Sequence, residues 1–150
     1  MKPSMMTTEL PPVFVDTWGW MALADVKDPV HPAVLNLRQQ YSQRSRPWVS
    51  TDFVLDETIT RIFQRLPFHQ AETFCTGLFR AESEGRLVME TISPERFRRA
   101  WRLRLRYRDK PRISFTDLTS FAVMQELGIR HVLTADTHFA QAGLGFRQLP

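Results

Sequence analysis

Between Ser114 and Asp136 the chain reads SFTDLTSFAVMQELGIRHVLTAD, a helix that is stopped and followed at once by a strand. Ser114 is a capping residue at the helix start; Phe121, Ala122, Met124 and Leu127 supply the apolar periodicity, and Gly128 stops the turn. His131 to Thr134 is then a short strand. A helix feeding a strand is half of an α/β crossover, and this half carries two acids. Asp117 falls in the first helical turn, and Asp136 lies just past the strand's C-terminal end, the edge where open parallel sheets place their ligands. Each acid also has a plain structural role. Ser114 and Asp117 have capping-box spacing, and Asp136 can cap a short helix through Thr137, His138 and Phe139. Taken singly, each is most simply a cap, so a chemical reading needs more acids.

The rest of the chain repeats the pattern. Val13-Phe14-Val15-Asp16 is a short buried strand, and Thr17 to Leu23 can be helical despite Gly19. Asp28-Pro29 breaks the chain before a helix from His31 to Gln43, with His31 expected as an exposed loop residue at its start. Trp48 to Thr51 is a second strand. A strongly amphipathic helix follows to Leu66, with Leu55, Ile59, Ile62, Phe63 and Leu66 in one stripe and Glu57 roughly opposite. Pro67 opens a helix ending near Gly85, and Arg86 to Ile92 alternates as a third strand. Ser93-Pro94-Glu95 starts another helix. A short helix from Thr137 to Gln141 and a strand at Phe146 to Leu149 finish the chain. Strand and helix in alternation predict an α/β fold, a mainly parallel central sheet of four to five strands flanked by helices. Residues 1–12 read as a loose lead-in and 13–150 as one domain.

Charge is unevenly spread. From Arg96 to Arg112 nine basic residues face a single acid, Asp109, so almost half of the 20 Lys and Arg sit in one segment. On a helical wheel Phe97, Ala100, Trp101 and Leu105 share one side and Arg98, Arg99, Arg102 and Arg106 the other, while Arg104 and Arg108 break the pattern. The alternation of Arg102 to Tyr107 also suits a strand, but the start signal favours a helix. Guanidinium groups suit phosphate, so this face is a candidate polyanion surface, although such a face is often only solvated. No apolar run approaches the roughly 20 residues of a membrane span, and the N-terminus lacks the apolar stretch of a signal peptide, so a cytoplasmic location is expected. The one cysteine, Cys75, has no partner for a disulfide and reads as a small apolar side chain. The four histidines show no tight metal-ligand spacing.

Asp16, Asp117 and Asp136 all fall at or near one edge of the expected sheet, and Glu57 could complete a quartet. Its plain alternative is a surface pair with Arg61 one turn on, worth about 0.3–0.5 kcal/mol. Two carboxylates about 6 Å apart repel by roughly 3 kcal/mol at an effective dielectric of 20. A clustered quartet therefore takes up protons or a cation. An all-oxygen set selects a hard ion, Mg²⁺ or Mn²⁺. Such an ion in an acid pocket near arginines suggests phosphodiester hydrolysis. No Gly-rich phosphate loop, Gly-x-Ser-x-Gly or Cys–His pairing offers another chemistry.

Together, Val13-Phe14-Val15-Asp16-Thr17, Val54-Leu55-Asp56-Glu57-Thr58, Tyr107 to Asp117 and Leu133-Thr134-Ala135-Asp136-Thr137-His138-Phe139 resemble the PIN-domain ribonucleases, and more narrowly the VapC-type toxins. The resemblance implies a PIN-like fold. It implies that Asp16, Glu57, Asp117 and Asp136 are the catalytic acids that hold Mg²⁺ or Mn²⁺, with Thr17 and Thr134 as supporting hydroxyls. It further implies endonuclease cleavage of RNA, a homodimer and silencing by a cognate antitoxin protein. Arg98, Arg102 and Arg106 are the expected nucleic-acid contacts. Two other readings stay open: a non-catalytic RNA- or protein-binding module with an arginine-rich face, and a DNA-directed metal nuclease.

Overall fold

The computed structural model describes residues 10–150; most of the expected lead-in lies outside the described residues. Three consecutive apolar residues with no polar alternation, Val13–Val15 (β1), form a strand that is fully buried. That pattern requires cover on both faces and suits the middle of a parallel sheet. β1 indeed lies between Trp48–Thr51 (β2) and His131–Leu133 (β4), with Leu87–Glu90 (β3) and Arg147–Leu149 (β5) at the edges. All four pairings are parallel, in the order β3-β2-β1-β4-β5. Edge strands are wetter: Val88, Arg147 and Gln148 are exposed.

The order reverses at β1. The chain first builds outward through β2 and β3, then returns to the other side of β1 with β4 and β5. Such a switch point opens a crevice at the carboxyl ends of the two strands that flank it.

Helix ends follow their capping residues. Thr51 Oγ1 accepts from the Val54 amide before Asp52–Arg65 (α3), and Ser93 Oγ from the Arg96 amide before Pro94–Arg106 (α5). Ser114 Oγ accepts from the Asp117 amide before Phe115–Leu127 (α6), and Gly128 closes α6 in the left-handed region at φ 68°. Caps of this kind are each worth about 1 kcal/mol. The remaining helices are Thr17–Ala24 (α1), His31–Gln43 (α2), Phe68–Ser83 (α4) and His138–Gln141 (α7). Cys75 is a buried free thiol in α4. His31 differs from expectation. It is the first residue of α2, half-buried, and its Nδ1 lies 2.9 Å from the Ala22 carbonyl, because the 25–30 turn folds it back onto α1.

The arginine-rich segment is a helix to Arg106. Its pattern breaker, Arg104, serves the turn that follows: the guanidinium donates to the carbonyls of Tyr107, Lys110 and Ile113 at 2.6–2.8 Å. These bonds fix the loop that leads into Ser114. Arg108 lies past the helix end and is exposed. On the opposite margin Arg96 donates to Glu126 at 2.6 Å and to the Thr91 carbonyl at 2.8 Å, tying α5 to α6. Ala100 is the only fully buried residue of α5, whereas Phe97, Trp101 and Leu105 are about half exposed.

Gly19 is required where α1 crosses β4. A Cβ there would stand 2.8 Å from the Leu133 carbonyl oxygen and 2.8 Å from its Cγ. Since backbone cannot yield as a side-chain tip can, Gly19→Ala should destabilise the protein by about 1–3 kcal/mol. Urea unfolding of the variant checks this; an unchanged midpoint would mean that α1 has room to move.

Candidate active site

Asp16 follows β1 at the switch point and is buried at its C-terminal end. Its carboxylate accepts from Thr134 Oγ1 at 2.9 Å, across from the end of β4. The same Oγ1 accepts from the Asp136 amide at 3.0 Å, so one hydroxyl ties together the two strand ends that carry acids. Thr17 contributes its amide to the Asp16 carboxylate, and its own hydroxyl accepts from Thr58 at 3.3 Å.

Asp117 satisfies its capping role and does more. The Ser114 amide donates to its carboxylate, closing the capping box, while Oδ2 lies 3.2 Å from His138 Nδ1. Asp136 likewise receives the His138 amide at 2.9 Å, and its Oδ1 lies 3.1 Å from the same Nδ1. Glu57 on α3 pairs with Arg61 at 2.8 Å. All four acids nevertheless line one open cavity of about 390 Å³, together with Thr17, Trp18, Ser114, Ala135 and His138. Cap, ion pair and pocket wall are compatible roles for the same side chains.

The arginines fall into two groups. Arg61 and Arg112 line the acid cavity. Arg102 and Arg106 line a separate depression over α5 and α6 with Arg99 and Gln125, and Arg98 is exposed on α5 outside the cavity. The sequence reading gave His138 no role in the site; its local signal is its position two residues after Asp136.

Electrostatics mark the floor of the cavity. Burial, then the charges of Asp117 and Asp136, pushes the Asp16 carboxyl up to about 7, against the opposing pull of the Thr134 hydroxyl and Thr17 amide. Burial and the charge of Asp136 likewise raise Asp117 to about 6, opposed by His138 and the Ser114 amide. Perturbed carboxyls in a cleft are a usual mark of a functional site.

Residues 13–144 match the PIN domain family. The chain belongs to the PIN-domain family. Its PIN fold is similar to the crystal structure of Mycobacterium tuberculosis VapC20, described as a sarcin-ricin loop cleaving toxin, with a TM-score of 0.72 and 28% identity over 87% of this chain and 95% of that one. In sequence the chain is 30% identical over 131 residues to the "23S rRNA-specific endonuclease VapC20" of the M. tuberculosis strains CDC 1551 and H37Rv. That alignment covers 87% of this chain and 94% of each relative. Among the described residues no helix is long and apolar enough to cross a membrane.

The cavity of this PIN domain suits a divalent cation. Buried carboxyls that burial and mutual repulsion keep from ionising need either protons or a positive charge. One oxygen each of Asp117 and Asp136 and one ring nitrogen of His138 all lie within 4.8 Å of one another.

Proposed function

We propose that this PIN domain is a Mg²⁺- or Mn²⁺-dependent endoribonuclease and the toxin of a toxin–antitoxin pair. The observation that carries this reading is the convergence of four acidic residues, from the ends of β1 and β4 and from α3 and α6, on one cavity that Arg61 and Arg112 also line. Asp16, Glu57, Asp117 and Asp136 would hold the ion, with Thr17 and Thr134 supporting Asp16. When bound, such an ion supplies a water of lowered pKa and neutralises charge on a phosphoryl oxygen.

The chain's own groups do the rest. Asp16 and Asp117, both buried, form the floor; Glu57 and Asp136, each about a third exposed, stand at the mouth. Thr134 holds the two aspartates of β1 and β4 in fixed relation, so the pocket is organised before substrate arrives. Arg61 and Arg112 draw the phosphodiester toward an otherwise repulsive acidic opening. The attacking water's oxygen joins phosphorus as the P–O3′ bond breaks, leaving a 5′-phosphate and a 3′-hydroxyl. A carboxylate at the mouth takes the water's proton, and a proton from solvent goes to the departing O3′.

The relatives' specificity makes the sarcin–ricin loop of 23S ribosomal RNA the first substrate to test. Purified protein freed of any antitoxin should cut it at discrete positions with Mn²⁺ or Mg²⁺ and not with EDTA, as read by mapping new 5′ ends. RNA bound but never cut, indifferent to divalent ions, would favour the binding module; cuts confined to DNA would favour the DNA-directed nuclease.

Arginine roles can be separated by salt dependence. Replacing Arg61 and Arg112 with Ala should flatten the salt slope of RNA binding by about two phosphate contacts and slow cleavage roughly a hundredfold. Replacing Arg102 and Arg106 should affect binding alone, and an unchanged slope would remove their face from the RNA path. The half-exposed stripe of Phe97, Trp101 and Leu105 supports a homodimer seam. Trp101→Glu should then sediment as a monomer; a wild-type protein already monomeric at high concentration would reject the seam.

A further inference from the structure

His138 stands apart from the acidic quartet and yet occupies its centre. Nδ1 lies 3.2 Å from Asp117 Oδ2 and 3.1 Å from Asp136 Oδ1, carboxylates separated from each other by the whole of α6 and β4. The ring is held there by its backbone as well: the His138 amide donates to Asp136 Oδ1 at 2.9 Å, and His138 opens α7. Phe139, the next residue, is fully buried against Phe121 of α6 with ring centroids 5.0 Å apart, which fixes the start of α7 relative to Asp117. The start of α7 therefore cannot move away from Asp117 without disturbing the core. Its side chain is about a quarter exposed, so the same ring borders the solvent of the cavity.

Two roles are open to a ring in this place. It can bridge the two carboxylates by donating a shared hydrogen bond. Alternatively, the ring nitrogen, once deprotonated, and the two carboxylate oxygens would together hold a divalent ion. Both roles use the same atoms, and the second gives the metal shell a nitrogen that an all-carboxylate set lacks.

We propose that His138 is a direct ligand of the divalent ion and makes this site select a first-row transition ion, Mn²⁺ in particular, over Mg²⁺. The proposal rests on the reading of the acid cavity as a metal site. Mg²⁺ is bound by oxygen and gives up its waters reluctantly, so a nitrogen ligand adds little to it. First-row transition ions gain from imidazole more than Mg²⁺ does, and Mn²⁺ among them is well suited to carboxylate and water ligands. The preference then resides in one residue.

The test is metal binding followed without RNA. Mn²⁺ and Mg²⁺ titrations by calorimetry would be paired with electron spin echo spectra of the Mn²⁺-loaded protein, for wild type, His138→Gln and His138→Asp. Wild type should show imidazole-nitrogen modulation, and His138→Gln should lose it together with roughly tenfold or more of its Mn²⁺ affinity, while Mg²⁺ affinity changes less than about threefold. His138→Asp should regain affinity for both ions with the Mn²⁺ preference reduced and no nitrogen signal. Mn²⁺ bound to wild type without nitrogen modulation, or an unchanged Mn²⁺-to-Mg²⁺ ratio in His138→Gln, would overturn the proposal and leave His138 as a hydrogen-bonding bridge in an intact metal site. Wild type that binds no Mn²⁺ would overturn the metal reading along with it. The wild-type spectrum decides even if a variant misfolds.

Discussion

Asp117→Asn should abolish RNA cleavage, lowering it by a factor of about 10³ or more, while raising the melting temperature of the metal-free protein. Loss of one charged group that stabilises a transition state directly costs roughly 10²–10³, and here the loss also weakens ion binding. The gain in stability has a separate origin. Asp117 lies among Asp16, Asp136 and apolar core, and its carboxyl is raised to about 6 by burial and by Asp136. At pH 7.5 the wild-type protein must therefore keep a charge that its surroundings disfavour, and the amide removes it. Asn has nearly the same shape, so the Ser114 cap and α6 should persist. A variant that is both inactive and less stable would point to a structural role for Asp117, and a variant that still cuts would remove it from the catalytic set.

Metal-free protein should lose stability as the pH rises from 5 to 8. A carboxyl whose folded pKa is raised binds its proton in the folded chain over a range where the unfolded chain has released it. The unfolding free energy then falls with pH, beginning near the ordinary value of 3.8 and finishing as pH passes the folded values of about 6 for Asp117 and about 7 for Asp16. Each unit of displaced titration is worth about 1.4 kcal/mol, so a drop in melting temperature of roughly 5–10 °C is expected across the interval. Surface carboxylates held low by arginine or lysine, Glu126 and Asp109, act in the opposite sense but below pH 4.5 and do not blur the window. Saturating Mn²⁺ should restore most of the loss at pH 8 and little at pH 5, because the ion and the protons compete for the same oxygens. Calorimetric scans at both pH values, with EDTA and with Mn²⁺, check the sign directly. A melting temperature that rises with pH in EDTA would mean that Asp16 and Asp117 ionise freely in the fold.

Much of this architecture was legible before any coordinates because it is written in local chemistry. Ser93, Ser114 and Gly128 announce helix ends through side-chain and backbone preferences that need no tertiary partner. Val13 to Val15 announce a strand covered on both faces. The placement of Asp16 and Asp136 follows from strand polarity alone, since a parallel sheet brings like ends together. What escaped depends on long-range placement. His138 meets Asp117 only because α7 folds against α6, a relation that spans 21 residues and leaves no periodic trace. The density of arginine drew attention to Arg98, Arg102 and Arg106, yet the cavity draws on Arg61, which pattern reading had treated as an ordinary partner for Glu57, and on Arg112 at the end of the segment. Arg104 broke the helical pattern because its partners are carbonyls in the next turn, an arrangement that composition cannot express.

The central position of β1 has a consequence for synthesis. β1 can pair with β2 within a few dozen residues, but its other neighbour, and the Thr134 hydroxyl that holds Asp16, come from a segment 118 residues downstream. Contacts so distant along the chain form late and slowly. A chain still emerging from the ribosome, or one cut short before β4, carries Asp16, Glu57 and even Asp117 without the wall that gathers them. Assembly order thus acts as a safety catch: the acids become a site only after the segment carrying β4 has been made and has folded back onto β1.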